Sequence, residues 1–383
     1  MSNPEKLYEL KSLPAVFAIG ENYQIMALAR TDVLFWVTVG GKDYFDHSNG
    51  IVRSSCVAHR VNVPMAALDE AKEYTVHYRR VIDRKPYYPE WEDIVSQTIS
   101  FKPVPTEGPI KIYHLSDTHG QFDAPAKAAL ASPAGDVDLL ILNGDIIDHS
   151  GDIKNFDLIY NLCAAITGGS RPVIFSRGNH DTRGFYAENI AEYTPTDRGD
   201  SYFTFRLGRI WGVVLDQGED KHDDNVSYTG PYGAIACTFF REQETEFLRK
   251  VVANADKEYN APGVEYRLVV GHCICSHTGN YPFNVDEEIL KEWGDILKDE
   301  IHPQLYIAGH HHSTSIHYPG GGLDQKGNQC CPVIIGSRGY KTEDKRRLHY
   351  GASIVLDGLK ADVKFNNGDG EIHENSAVLD LIK

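Results

Sequence analysis

Short apolar runs punctuate the chain, and their texture changes once. Before residue 105 they are rich in β-branched and aromatic residues, at 23–29, 33–39, 61–64, 74–81 and 96–101, and turn residues such as Gly40-Gly41 separate them. That pattern predicts an all-β sandwich over residues 1–105. Three prolines and a glycine within 102–109 mark a linker. Beyond it, apolar runs at 110–115, 137–142, 172–175, 268–270 and 305–308 alternate with helical stretches at 125–130, 156–166, 242–252 and 287–297. This rhythm predicts an α/β domain over residues 106–383 with largely buried strands. The runs 202–207 and 210–215, joined at Gly208-Arg209, predict a hairpin added to it.

The residues just beyond each apolar run carry the chemistry. The five clusters are Ser116-Asp117-Thr118-His119, Asn143-Gly144-Asp145-Ile146-Ile147-Asp148, Gly178-Asn179-His180-Asp181, Gly271-His272 and Gly309-His310-His311-His312. Ligand sites of open α/β sheets gather beyond the carboxyl ends of strands. One such cluster is an ordinary turn or a hydrogen-bonded core histidine. Five of them bring carboxylates, an amide and imidazoles to one place, a donor set that suits Mn, Fe, Zn or similar metals. A glycine precedes the candidate ligand in four clusters, where it allows a tight turn out of the strand.

Composition narrows the partners. Lys plus Arg is 38 and Asp plus Glu is 54, giving a net charge of −16. Such a chain repels polyanions in general, which argues against nucleic acid and anionic membranes as partners but not against a small phosphorylated substrate. No apolar run approaches the ~20 residues of a membrane span, and the polar start of the chain carries no signal-like segment, so a cytoplasmic protein is expected. The seven scattered cysteines are expected to be reduced, Cys330-Cys331 included. No feature of the sequence fixes an oligomeric state.

In order, the five clusters read D-x-H, G-D-x-x-D, G-N-H-[ED], G-H and G-H-x-H. Residues 117–312 thereby resemble the calcineurin-like metallophosphoesterases, a family that includes the purple acid phosphatases. The resemblance implies a four-layer α/β/β/α sandwich holding two transition-metal ions per chain (Fe, Mn or Zn). The preceding strands resemble a fibronectin type III-like domain such as purple acid phosphatases carry, with Tyr74 as the tyrosine that bonds back across its own corner. By the same resemblance Asp117, His119 and His312 hold one metal, Asn179, His272 and His310 the other, and Asp145 bridges them. His180 is then the acid or transition-state group, and Asp148 orients it. Asp148 stands where purple acid phosphatases have a metal-binding tyrosine, so a ferric tyrosinate is not expected.

The implied reaction is hydrolysis of phosphomonoesters by a metal-activated water, with cyclic nucleotides or small phosphodiesters as the alternative. A non-catalytic scaffold would be expected to lose ligands, and none is missing. An adhesion role for the sandwich fits poorly with the start of the chain. Two further groups are assigned to substrate: Arg183, able to grip a phosphate or else to form an ion pair, and His311, which alternation points away from the metals. Tyr186, Tyr228, Tyr232 and Arg338 are lesser candidates. Asp181 is expected to brace its turn, Cys273 and Cys275 to pack as small apolar residues, and the acidic run 219–224 to be a solvated loop.

Overall fold

Alternate residues of the buried strands point into different cores, and this sets the layers. Ile110, Ile112, Leu139, Ile141 and Ile174 meet Leu268, Val270, Leu305, Ile307 and Ile334 in one cluster between two sheets. Their neighbours Tyr113, Leu115, Leu140, Leu142, Val173 and Phe175 face outward beneath the helices Asp123–Leu130 and Asp157–Thr167. On the far side Val269, Tyr306, Ala308, Val333 and Ile335 pack under the helices Cys237–Ala253 and Glu287–Ile296. In this computed structural model, which describes residues 7–225 and 233–382, the order is therefore helices, sheet, sheet, helices, as expected. Each fully buried Val, Leu or Ile in these clusters contributes about 1.5–3 kcal/mol.

The first sheet has ten strands. Its centre is parallel, with Ile110–Leu115 beside Leu139–Asn143 and that beside Pro172–Ser176. The second has six, from the expected hairpin Phe203–Leu207 and Ile210–Leu215 through Tyr266–Gly271, Leu305–Ala308 and Val333–Gly336 to Thr314–His317. Four strands without a clear signal in the sequence complete one side of the first sheet. Arg347–Asp357 pairs antiparallel with Ile110–Leu115, with Lys360–Asn366 and Ala377–Asp380 further outward, while Arg338–Lys341 pairs with Arg347–Asp357.

The boundary at residue 105 does not separate the sheets. Of the N-terminal strands, Ala15–Ile19, Asn22–Leu28 and Ala58–Pro64 extend the first sheet, because Ala15–Ile19 pairs in parallel with Pro172–Ser176 through Val16↔Pro172 and Phe17↔Val173. Each of these strands would otherwise present an open row of backbone groups, and their pairing covers both edges at once. The other half of the N-terminal part is the separate sheet of Val95–Ser100, Glu73–Asp83, Val33–Val39 and Lys42–Phe45, with Glu90–Trp91 alongside. A short helix, Met65–Ala71, interrupts the strands. Phe35, Val37, Val76 and Phe101 share the central cluster with Phe203 and Phe205, so one core runs through both parts. Tyr74 is likewise not tied to its own corner. Its hydroxyl donates to the Gly169 carbonyl at 2.8 Å, across the junction and 95 residues away.

Candidate metal centre

Five strand ends converge as the motif spacing requires. Asp117 and Asp145, after the first two parallel strands, are almost fully buried, as are Asn179 and His272. His272 Nε2 lies 3.2 Å from Asp145 Oδ2 and 3.8 Å from Asp117 Oδ1. His312 Nε2 is 3.3 Å from Asp117 Oδ1 and 3.0 Å from His119 Nε2, while His310 Nδ1 is 3.1 Å from Asn179 Oδ1. Asp117, His119 and His312 therefore form one cluster of donor atoms, and Asp117, Asp145 and His272 an overlapping one. All seven residues expected as ligands are brought together.

Backbone strain is concentrated here, though not where the glycines suggested. Of the eleven described non-glycine residues at positive φ, five are Asp117, His119, Asp145, His310 and His312. Each such residue costs about 1–3 kcal/mol and persists only because its surroundings impose it. Among the four glycines only Gly144 turns at positive φ, +74°. At Gly178 and Gly309 the requirement is close approach instead. A Cβ on Gly178 would collide with the Asp145 carboxylate, and one on Gly309 would sit 2.8 Å from Asp117 Oδ2.

The electrostatics are those of a cation site. Burial alone would lower His272, yet the Asp145 and Asp117 carboxylates outweigh it and push this imidazole up to about 10. Burial alone would raise Asp145, and facing His272 holds it below the usual carboxylate range instead. His272 Nδ1 lies 2.8 Å from the Asn143 carbonyl, which fixes the proton on that nitrogen and aims Nε2 at the carboxylates. That buried Nε2 has no well-formed hydrogen bond. A ligating histidine whose other nitrogen donates to a carbonyl is the usual arrangement at metal sites. The donor set thus fits hard or borderline metal ions on an observation independent of the motifs.

Around the ligands the expected roles divide. His180 Nδ1 is 2.8 Å from the Asp148 main-chain carbonyl but 3.9 Å from its carboxylate, so the backbone rather than the Asp148 side chain orients it. The carboxylate, largely exposed, is nearer His119 Nδ1 at 3.4 Å. Asp181 braces the turn more firmly than its position implied. One of its oxygens accepts the Gly178 and Asp145 amides at 2.7 and 3.2 Å, and burial beside Asp145 pushes its carboxyl up to about 7.

Arg183 is engaged in ion pairs. Its Nε and one terminal nitrogen bond both Glu219 oxygens at 2.7 and 2.6 Å, and the same nitrogen reaches Asp220 at 2.8 Å. Glu219 is fully buried and Lys221 nearly so, so this acidic run is not a solvated loop. It is an ion cluster that holds Asp220 with Oδ2 3.8 Å from His310 Nε2. Asp220 lies beyond the end of the strand Ile210–Leu215, and the strand-end rule that found the other clusters would have found it. His311 packs edge-on against His277 and His310, with ring centroids 4.9 and 5.5 Å away, on a cavity of about 290 Å³ that Asp220 and Phe283 also line. Tyr186 packs against the outer core, Arg338 is exposed, and Tyr228 and Tyr232 lie outside the described residues.

All seven cysteines are free, with the Cys330 and Cys331 sulfurs 3.7 Å apart. Another donor cluster, Asp46, Cys56 and His59, lies in the N-terminal part. There His59 Nδ1 pairs with Asp46 at 3.0 Å and the buried Nε2 meets no polar group. The acceptor that a ligating histidine needs on its second nitrogen is missing, and the cluster reads as structural.

The family model described as calcineurin-like phosphoesterase matches residues 110–314. Among solved structures, a purple acid phosphatase from yellow lupin (Lupinus luteus) seeds is similar at 10% identity and a TM-score of 0.59, over 96% of this chain and 74% of that one. The structure of PhoD is similar at 10% identity and a TM-score of 0.52, over 97% and 90%. Both likenesses are of fold. No curated protein sequence matches. No helix among the described residues is long and apolar enough to cross a membrane.

Proposed function

Because the chain belongs to the calcineurin-like phosphoesterases, metal-dependent hydrolases of phosphate esters, we propose that it hydrolyses phosphomonoesters at a dinuclear centre. The observation that carries this is the position of Asp145. Its Oδ2 faces His272 at 3.2 Å and its Oδ1 accepts the His180 amide at 2.9 Å. It shares a donor cluster with Asp117, which also belongs to the Asp117–His119–His312 group, and with His272, whose ring lies beside that of the Asn179-bonded His310. Asp117, His119 and His312 would hold one ion and Asn179, His272 and His310 the other, with Asp145 shared.

Two bound ions would supply Lewis-acid polarisation of the phosphoryl oxygens and an acidified water as nucleophile. The protein's own contribution is orientation and proton transfer. Asp181 fixes the Asp145 backbone, Asn143 fixes the His272 tautomer, and Asp148 fixes His180 through its carbonyl. His180 Nε2 is then the group that delivers a proton to the leaving oxygen. The oxygen and nitrogen donors suit Fe, Mn or Zn.

Monoesters are favoured by the cavity of about 250 Å³ at the His119–His312 end, where Lys341 and Arg347 attract a dianion more than a monoanion. Small diesters or cyclic nucleotides are the second reading, supported by the additional cavity on the His311 side, which gives a second ester group room. Turnover of p-nitrophenyl phosphate against bis(p-nitrophenyl) phosphate by the metal-loaded protein decides between them. A kcat/KM at least about tenfold higher for the monoester is expected. The reverse order would make the protein a diesterase, and no turnover of either with metal bound would defeat both readings.

A further inference from the structure

Lys341 and Arg347 stand directly opposite each other on antiparallel strands. Like charges in that relation repel, yet neither side chain has a hydrogen-bond or ion-pair partner among the described residues. The adjacent Arg346, by contrast, is held by Asp344 and Asp369 at 3.0 Å each. The unpaired couple lines the same 250 Å³ cavity as Asp117, His119 and His312. A second cavity of about 480 Å³ shares Gln121 and Arg347 with it and leads away past Lys127 and Asp123, with Asp369 on its wall paired to Arg346. In a chain of net charge −16, two cations without ion-pair partners on the cavity of the Asp117–His119–His312 donor cluster form a local positive centre.

Resting on the monoesterase reading, we propose that Lys341 and Arg347 bind a second oxyanion of the substrate, so that preferred substrates are phosphate esters whose leaving group carries a further phosphate or carboxylate. The ester phosphate lies at the Asp117–His119–His312 end. The leaving group runs along the shared cavity, and its oxyanion relieves the repulsion between the two cations. Arg347 offers a planar fork matched to such a group, and Lys341 a compact charge.

Phosphonates are not hydrolysed, so binding tests this independently of turnover. Calorimetric titration of the metal-loaded protein would compare 3-phosphonopropionate and its longer ω-carboxyalkyl homologues with alkyl phosphonates of equal length. At least one carboxylated member should bind tenfold tighter or better. Lys341→Gln and Arg347→Gln should each erase most of that preference, weakening the carboxylated members at least about fivefold more than the alkyl phosphonates. Lys345→Gln, the same charge change on the same hairpin but outside both cavities, should preserve it. Equal affinity of the two series in the unmodified protein would overturn the proposal. So would a preference that survives both cavity substitutions or falls equally with Lys345→Gln. If the carboxylate preference is found but p-nitrophenyl phosphate is not turned over, the subsite stands and the monoesterase reading fails.

Discussion

His272 is held between a carbonyl and a carboxylate, its Nδ1 2.8 Å from the Asn143 oxygen and its Nε2 3.2 Å from Asp145 Oδ2. The carbonyl decides which nitrogen keeps its proton, and the other nitrogen is therefore presented to whatever the two buried aspartates bind. Two strands of different sheets supply this arrangement, since Asn143 ends Leu139–Asn143 and His272 comes directly after Tyr266–Gly271. The candidate metal site is thus also a joint between the sheets.

Arg183→Gln separates a binding role from a structural one. Removing one partner of a buried ion pair costs about 3–5 kcal/mol, and the lower end is expected because Lys221 still faces Glu219 and Asp220 at 3.3 and 2.7 Å. The melting temperature should fall by several degrees, while KM for a phosphomonoester changes less than about threefold. A large rise in KM at unchanged melting temperature would return Arg183 to the substrate.

Tyr74→Phe probes the junction between the N-terminal strands and the rest. The Gly169 carbonyl loses a buried donor, which costs about 1–3 kcal/mol. Thermal denaturation should show the loss as one transition shifted down, with kcat unchanged. Two separate transitions would mean that the N-terminal part unfolds alone, contrary to the shared core.

His180→Asn should leave metal content unaltered, because His180 is oriented by the Asp148 carbonyl and stands beside the proposed ligand His119 with ring centroids 4.7 Å apart. General acid catalysis is worth ~10²–10⁴-fold. Single-turnover rates on an alkyl phosphate should drop by that order, and those on a nitrophenyl phosphate at least about tenfold less, since a phenolate needs little protonation. Equal losses on both would point to stabilisation of the phosphoryl group instead.

The site was legible where chemistry is written in contiguous words. Asp117-Thr-His119 or Gly-Asn179-His180-Asp181 each carry a strand end, a turn and a donor together, so contiguous sequence defines each loop of the site. The layers were legible for a related reason, since short apolar runs between helical stretches fix which strands are buried on both faces. Partners distant in the chain were not. The pairing of Val16 with Pro172 has no local signature, and the N-terminal strands by themselves look like a closed sandwich. Glu219-Asp220-Lys221 reads as solvated because composition does not show Arg183 or Arg241, whose side chains bond Glu219 and its backbone from other elements. Sequence points to the side chain of Asp148, whereas the group that meets His180 is the carbonyl every residue has.

Metal stoichiometry in Asp145→Ala tests the central claim most directly. Elemental analysis of the unmodified protein, purified with Mn, Fe and Zn available, should find two ions per chain. The substitution removes the shared carboxylate and leaves His272 facing only Asp117, so at least one ion should be lost and phosphomonoesterase turnover should fall by at least about 10²-fold, on the scale of losing one electrostatic stabiliser of the transition state. Two tightly held ions and near-normal turnover in Asp145→Ala would contradict a dinuclear centre bridged at this residue.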